Sequence, residues 1–246
     1  MSDVGNVHFD DDPLTVADAR LRDFYEMRAA EEPDRDPEAL LRFRKAIAAG
    51  GLRSGEHVLD LGAKWGGLAD AIVAARLEVD YTGLDLSQAN AEAAEAAGRS
   101  FIRGDVTKSL PFEDGSFDCV FCLELLEHLT VPLLLLGEIR RVLTEAGRAV
   151  ISVPSPYSWV EVARELLDRP DPEGHLNSFT TPVMQNLAAL AGLKIERRLG
   201  TSIRFPKTLR LISTNSILAR PRIYVVRPSH DLVFAGRDAI WSPSTE

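Results

Sequence analysis

The feature of this 246-residue sequence that most limits its fold is a regular alternation of short β-rich runs and helical runs between His57 and Pro154. The β-rich runs read HVLDLG, VDYTGLD, SFIRGD, FDCVFCL and GRAVISVP, and segments such as GGLADAIVAARL and SQANAEAAEAAG separate them. Parallel strands need crossover connections, and helical crossovers cover both faces of the sheet. The sequence therefore predicts an α/β fold with a doubly wound, mainly parallel sheet.

Local signals predict where the helices begin and end. Ser87 is a suitable N-cap for a helix that stops near Gly98. Thr181, Pro182 and Gly192 are expected as N-cap, first turn and C′ residue of the segment TTPVMQNLAALAG. After this helix, KIERRL or TSIRF is expected to pair with RIYVVR as the last strands of the sheet.

We divide the chain into three parts. Residues 1–50 are expected to form helices that cover the ligand-binding edge of the sheet, residues 51–230 the main domain, and residues 231–246 a C-terminal tail. Within the main domain, residues 207–221 could form a short amphipathic helix. That segment is either a packed crossover or a site of weak contact with anionic lipid.

Charge and hydropathy exclude several classes of protein. The chain has 28 Lys and Arg against 37 Asp and Glu, a formal net charge of −9, so nucleic acid is not expected as a partner. Residues 197–230 hold eight Lys or Arg and no acid, and either meet an anion or carry solvated arginines. No apolar run approaches a membrane span of about 18 residues, and the acidic start lacks the features of a secretory signal. We expect a cytoplasmic protein, and its oligomeric state stays open.

The two cysteines, Cys119 and Cys122, do not predict chemistry despite their CxxC spacing. They lie in FDCVFCL, which has the composition of a buried strand. Residues three apart on a strand point to opposite faces, so the two thiols are expected to be separate core residues.

Acidic residues stand where three of the predicted strands end. Asp60 ends the first strand and is followed by a turn containing Gly62 and Gly66, Asp85 ends the second, and Asp105 follows the third. In an open doubly wound sheet the ligand lies outside the carboxyl ends of the strands. A carboxylate can accept hydrogen bonds from both hydroxyls of a ribose, and glycines let the backbone approach a ligand closely. The pattern indicates nucleoside binding.

Four segments in order resemble class I S-adenosylmethionine-dependent methyltransferases: VLDLGAKWGG, YTGLDLSQ, RGDVTKSLPFEDGSFDCVFCLELLEHL and RVLTEAGRAVISVP. The resemblance covers roughly residues 55–200 and implies a Rossmann-like, seven-stranded sheet whose last strand is antiparallel. It also implies S-adenosylmethionine as cofactor. By this resemblance Asp60, Gly62 and Gly66 hold the methionine part of the cofactor. Asp85 holds the ribose, and Asp105 with Val106 holds the adenine.

The first turn departs from the family pattern. Lys64 stands where the family usually has its middle glycine, between Ala63 and Trp65. A side chain there either crowds the cofactor or points outward, and a cation close to a buried sulfonium is unfavourable. A non-catalytic, methyltransferase-like binding module is therefore one alternative. A nicotinamide-dependent oxidoreductase is another, favoured only by the glycine turn and Asp85.

The segment after the fourth strand carries Glu124, Glu127 and His128. On a helix these positions share one face, and the spacing resembles the ExxEH pattern of metal-dependent O-methyltransferases. In some of those enzymes a later histidine completes the site, and His175 is the candidate here. The four residues then predict a site for Mn²⁺ or Mg²⁺, which would bind neighbouring hydroxyls of the acceptor. Alternatively the same motif serves without a metal, as in many relatives.

Methyl transfer also needs a base and a pocket for the acceptor. His128 or His175 could remove the proton from the acceptor, because a neutral imidazole titrates near neutral pH. The aromatic residues Tyr25, Tyr157 and Trp159 are candidates for the walls of the pocket. We therefore expect O-methylation of a small hydroxylated molecule, such as a catechol or a vicinal diol.

Overall fold

The computed structural model describes residues 13–29, 37–204, 211–214 and 218–231. The helices are α1 (Pro13–Ala29), α2 (Pro37–Gly50), α3 (Gly67–Ala74), α4 (Gln88–Ala96), α5 (Pro132–Val142), α6 (Trp159–Leu166) and α7 (Thr181–Leu190). The strands are β1 (His57–Leu61), β2 (Asp80–Asp85), β3 (Phe101–Arg103), β4 (Phe117–Leu123), β5 (Leu143–Val153), β6 (Leu193–Arg204), β7 (Leu211–Ser213) and β8 (Arg220–Pro228). A 3₁₀ turn spans Leu126–His128. None of the helices in these ranges is long and apolar enough to cross a bilayer.

The strands form one sheet in the order β3-β2-β1-β4-β5-β8-β6-β7. Strands β1 to β5 pair in parallel, and β8 runs antiparallel to both β5 and β6. These seven strands confirm the predicted doubly wound sheet. The strand order reverses between β1 and β4, which is where such sheets bind their ligands.

Two apolar layers cover the two faces of the sheet. One contains buried residues of α5, α7 and the 3₁₀ turn, and the other contains the second half of α2 together with α3. Cys122 belongs to the first layer and Cys119 to the second, and both are buried, free thiols. The prediction that they point to opposite faces is confirmed, and burial raises the pKa of both thiols.

The prediction that Glu124, Glu127 and His128 lie on one helix is wrong. Strand β4 ends at Leu123, and Glu124 takes a left-handed conformation with φ 53°. Its N–H donates to the Ser152 carbonyl at 3.0 Å, so contact with β5 continues past the strand end. Only a 3₁₀ turn follows, and the leucine-rich helix begins at Pro132, a residue that is favoured in the first helical turn.

The C-terminal elements also differ in part from those predicted. KIERRL and TSIRF belong to the single strand β6. Residues 211–213, predicted within an amphipathic helix, form an eighth strand on the open edge of β6, whose backbone groups offer a hydrogen-bonding partner. Residues 220 and 221 of the same segment begin β8, and residues 207–210 and 215–217 lie outside the described part of the chain. The N-cap of α7 is Thr180 rather than Thr181, because the Thr180 Oγ1 accepts the Val183 N–H.

The N-terminal helices have different surroundings. Residues of α1 line the cavity at the carboxyl edge of the sheet, whereas Ala46, Ile47, Ala49 and Gly50 of α2 are buried, mostly against the sheet itself. The domain boundaries after residues 50 and 230 stay predictions. Residues 1–12 and 232–246, including most of the predicted tail, lie outside the described part of the chain.

A buried arginine attaches the end of α2 to the sheet. Arg148 of β5 is 6% exposed and makes a bidentate pair with Glu56, with N–O distances of 2.9 and 2.7 Å. It also donates to the carbonyls of Gly50 and Gly51, which have no helical partner at the end of α2. Because a buried guanidinium is costly without its carboxylate, this cluster depends on Glu56.

We predict that Glu56→Ala lowers the free energy of unfolding by about 3 to 5 kcal/mol, because it leaves the Arg148 charge buried without a counter-ion. Glu196→Ala is the matched control, since Glu196 pairs with Arg227 at 2.8 Å in a largely exposed position. The control is expected to lose about 1 kcal/mol or less. Denaturant unfolding measures both, and equal losses would show that the Arg148 cluster does not hold α2.

Candidate active site

A cavity of about 600 Å³ opens where the strand order reverses. Its walls come from the turns after β1, β2, β3 and β4, and α1 and α2 close it from one side. Asp60, Asp85 and Asp105 all line it, together with Gly62 and Val106. The structure thus brings the three predicted cofactor acids into one cavity.

The turn after β1 explains why two glycines stand there. Gly62 has φ 69°, and a Cβ at this position would lie 3.2 Å from the Leu125 side chain. Gly66 has φ 89°, and a Cβ would lie 2.6 Å from the Arg99 side chain. Both positions combine a left-handed backbone with close packing, so only glycine fits without strain.

Lys64 lies on the same turn and follows the backbone geometry of a glycine. Its φ is 47°, which is unfavourable for a residue with a side chain, and its side chain is exposed at the cavity mouth. Its backbone N–H donates to Asp85 Oδ2 at 2.9 Å. The backbone at position 64 therefore supports the predicted ribose acid, whatever the exposed side chain does.

The carboxylate of Asp85 is held by three donors. Oδ2 accepts from Lys64, and Oδ1 accepts from the Ser87 N–H at 3.0 Å and the Asn90 side-chain amide at 3.1 Å. A carboxylate has about four acceptor sites, so roughly one remains for a ligand hydroxyl. The role of Asn90 was not predicted, although a polar residue in the first turn of the helix that follows Asp85 is a signal for it.

Asp60 is the most deeply buried of the three acids. It is 4% exposed, and Oδ2 accepts a hydrogen bond from the Tyr81 hydroxyl at 2.8 Å. Burial raises the pKa of Asp60 to about 7, and the charge of Asp85 adds to this, although the Tyr81 hydrogen bond opposes it. Tyr81, which is four residues before Asp85 on β2, was not among the predicted site residues.

Asp105 meets a residue of the helical cover. Its Oδ1 accepts from the backbone and side chain of Thr107 at 2.9 and 2.7 Å. Arg22 of α1 places its Nε 3.6 Å from Oδ2, at the predicted adenine end of the cavity. Arg22 was not predicted, because nothing in the spacing of α1 indicates which of its side chains faces the sheet.

Glu124 and Glu127 occupy different environments at the other end of the cavity. Glu124 Oε1 accepts from the Ser152 hydroxyl at 2.7 Å. Glu127 is fully buried, and neither carboxyl oxygen has a hydrogen-bond partner among the described residues. Burial, reinforced by the charge of Glu124, raises the pKa of Glu127 well above its usual value. The cavity therefore contains a carboxyl group that a ligand or an ion could engage.

The two candidate bases lie next to each other. The ring centroids of His128 and His175 are 4.9 Å apart, and the Tyr25 hydroxyl lies 2.6 Å from His128 Nδ1. His175 Nδ1 pairs with Asp171 at 2.7 Å. Burial disfavours the charged form of His175, but its bond to Glu173 and the charge of Asp171 outweigh this and raise its pKa. His175 is thus held toward its protonated form.

Three of the four predicted metal ligands form one group. Potential ligand atoms of Glu127, His128 and His175 lie within 4.8 Å of one another, and Glu124 is not part of this group. Of the predicted pocket aromatics, Tyr25 lines the cavity, whereas Tyr157 and Trp159 do not and are each 41% exposed. Four further charged residues line the cavity without having been predicted as site residues: Glu38, Arg42, Glu173 and Arg220.

The family comparison agrees with this arrangement. Residues 59–151 match the family model described as a methyltransferase domain. Residues 59–151 therefore belong to a methyltransferase domain, which agrees with the resemblance to class I S-adenosylmethionine-dependent methyltransferases. This domain is 30% identical over 148 residues to the ubiquinone biosynthesis O-methyltransferase of Xanthomonas campestris pv. campestris, which covers 55% of this chain and 61% of the relative. The enzyme of that name from Psychrobacter arcticus is 33% identical over 132 residues, 47% of this chain and 51% of the relative.

Solved structures share the fold of the methyltransferase domain. A methyltransferase from Haloferax volcanii, solved with the activator Trm112, superposes on this chain with a TM-score of 0.63 and 21% sequence identity. The superposition covers 86% of this chain and 98% of the Haloferax chain. The magnesium protoporphyrin IX methyltransferase of Synechocystis, solved with bound S-adenosylhomocysteine, has a TM-score of 0.62 and 16% identity, covering 86% and 99%. This chain spans about half to two thirds of the curated relatives that it matches.

We predict that Asp60→Asn stabilises the ligand-free protein at alkaline pH. A carboxyl group whose pKa rises from 3.8 to about 7 on folding contributes stability below pH 4, and this contribution is lost as the pH rises through 7. The variant is neutral at every pH. It should match the wild type at pH 4 and exceed its free energy of unfolding by about 2 to 4 kcal/mol at pH 8.

Chemical unfolding at the two pH values measures this difference. Asp80→Asn is the matched control, because the Asp80 side chain is 75% exposed and stands at the start of β2, at the end of that strand away from the cavity. A difference between Asp60→Asn and wild type that is the same at pH 4 and pH 8 would mean that Asp60 ionises normally.

Proposed function

We propose that this chain transfers the methyl group of S-adenosylmethionine to a hydroxyl oxygen of a small hydroxylated acceptor. The observation that carries the proposal is the single cavity in which Asp60, Asp85 and Asp105 meet a buried Glu127 and His128. One end of the cavity offers groups suited to a nucleoside, and the other offers groups suited to proton transfer. The relatives named as O-methyltransferases favour oxygen as the nucleophile.

The cofactor would lie along the carboxyl ends of β1, β2 and β3. Asp85 would use its remaining acceptor site for a ribose hydroxyl, and Asp105 with Val106 would hold the adenine. Asp60 would face the amino group of the methionine part, with Gly62 and Gly66 giving the backbone close approach. Asn90 and the backbone of Lys64 would keep the Asp85 carboxylate in place.

The acceptor would lie beside the 3₁₀ turn, with His128 as the base. His175 is less suited to accept a proton, because Asp171 and Glu173 raise its pKa and favour its charged form. His128 would take the proton of the acceptor hydroxyl while the oxygen bonds to the methyl carbon and the methyl–sulfur bond breaks. The bond electrons stay on sulfur, so S-adenosylhomocysteine is the second product. Alignment of the reacting atoms is the main requirement for this step.

The residues beside His128 also fit a divalent ion, with three protein ligands rather than the four first predicted. Glu127 has two unpartnered oxygens, and a nitrogen of His128 and one of His175 lie within reach of the same point. His175 would have to release its proton and its bond to Asp171 in order to bind. When bound, an ion of this kind would lower the pKa of an acceptor hydroxyl and orient it. Imidazole ligands favour Mn²⁺ over Mg²⁺.

Asp85→Ala is predicted to weaken binding of S-adenosylhomocysteine by about 1 to 3 kcal/mol, because it removes a charge-assisted hydrogen bond to the ribose. Isothermal titration calorimetry measures this change. Asp80→Ala is the control at the exposed end of the same strand and should bind as the wild type does. If the wild type binds neither S-adenosylmethionine nor S-adenosylhomocysteine, the chain is a binding module of another kind.

His128→Gln is predicted to lower kcat by about 10² to 10⁴ fold, because the base is lost, while affinity for S-adenosylhomocysteine stays within about two fold. His57→Gln, at a largely exposed histidine far from the cavity, is the control. Steady-state rates with a panel of catechols and vicinal diols provide the measurement. Full activity of His128→Gln would assign the proton transfer to another group.

Loss of activity in a strong chelator, restored by Mn²⁺, would establish the metal.

A further inference from the structure

The buried Asp60 is hydrogen-bonded to the partly buried Tyr81, and the fold leaves space for the tyrosine side chain. Asp60 of β1 stands opposite Gly83 of β2 in the parallel register. A Cβ on Gly83 would lie 3.2 Å from the Tyr81 hydroxyl, so the glycine leaves space for that side chain beside Asp60. The hydroxyl donates to Asp60 Oδ2 at 2.8 Å. The orientation of the Asp60 carboxyl group is thus set by a neutral donor.

The groups that face this pair supply no ion pair to Asp60. From β2 it is faced by the acid Asp85, and from β4 by the neutral thiol of Cys122. Arg99 is close enough to lower the pKa of Tyr81, but its guanidinium group donates to the Trp65 carbonyl and forms a salt bridge with Asp70. No described cation lies within ion-pair distance of Asp60, and Lys64 extends to the surface of the mouth. A buried carboxylate without a cation is costly, so the pair is incomplete until a ligand brings one.

We propose that Tyr81 is a positioning residue that presents Asp60 to the α-ammonium group of the cofactor, and that binding of this cation displaces a proton from Asp60 into solvent. The inference rests on the proposed function, since it takes the cofactor to be S-adenosylmethionine. It goes beyond that function because it describes recognition of the methionine part as an exchange, in which the α-ammonium group of the ligand replaces the proton on Asp60. In the ligand-free protein the proton on Asp60 stands in for the ammonium group.

A tyrosine suits this role better than a basic residue. A Lys or Arg at position 81 would neutralise Asp60 permanently and compete with the ligand cation. Burial, together with the charge of Asp60, raises the pKa of Tyr81, so its hydroxyl remains a donor throughout the neutral range. The same burial raises the pKa of Asp60 to about 7, so its ionisation responds to a ligand at physiological pH.

The test is calorimetric titration of the full chain with S-adenosylhomocysteine in buffers of different ionisation enthalpy. At pH 6.5 the wild type is expected to release most of one proton per bound ligand, and at pH 8.5 almost none. Asp60→Asn should abolish this release. Tyr81→Phe should raise by about one unit the pH at which the affinity reaches half its limiting value, and should weaken binding about five fold at pH 7. Tyr157→Phe, at an exposed tyrosine outside the cavity lining, should change neither quantity.

The outcomes separate this inference from the proposed function. If S-adenosylhomocysteine binds, but Asp60→Asn releases as many protons as the wild type or Tyr81→Phe keeps the wild-type midpoint, the inference is overturned and the proposed function stands. If S-adenosylhomocysteine does not bind at all, both the inference and the proposed function are overturned for this cofactor. Infrared difference spectra of the ligand-free protein then decide the protonation alone. A carboxylic-acid band that titrates near neutral pH and is missing in Asp60→Asn supports it, and its absence from the wild type overturns it.

Discussion

The parallel pairing of β1 with β2 and β4 is the constraint on which the rest of the site depends. Because these strands run the same way, whatever follows their last residues is delivered to one edge of the sheet. Asp60 and Asp85 come from the first pair, and Glu127 and His128 follow β4. A reversal of strand direction at any of these positions would separate groups that now share one cavity. Function at this edge is therefore a consequence of topology before it is a consequence of any single contact.

Two acids of the cavity are buried without a matching cation, unlike Asp105 beside Arg22 and Glu173 beside Arg220, and this shapes the energetics of the fold. Asp60 and Glu127 are buried, and neither has a close salt bridge among the described residues; His128 Nε2 lies 4.0 Å from Glu127 Oε1. At the opposite edge of the sheet the buried Arg148 has a complete set of partners in Glu56 and the end of α2. The protein thus satisfies its buried charge where the role is structural. It leaves charge unsatisfied where a ligand can supply the missing partner, which costs stability and provides recognition.

The sheet and the positions of its acids could be predicted from the sequence, because both follow from short-range patterns. Strand runs such as FDCVFCL are recognisable locally, and residues that end parallel strands must share an edge. The environment of those residues could not be predicted in the same way. Tyr81 reaches Asp60 from the neighbouring strand, and Arg22 reaches Asp105 from a helix far away in sequence. The helix expected at Glu124 failed for a related reason: pairing with β5 overrode a local spacing that suits either conformation.

Helix α1 contributes one side chain to each half of the cavity. Arg22 lies beside Asp105 at the predicted adenine end, and Tyr25 contacts His128 at the predicted acceptor end. The two residues are one helical turn apart, so a rigid displacement of α1 that moves one must move the other. If an adenine takes the Oδ2 atom of Asp105, as proposed above, it would compete with Arg22 for that atom. Cofactor binding would then be coupled to the position of Tyr25, and hence to the surroundings of the candidate base.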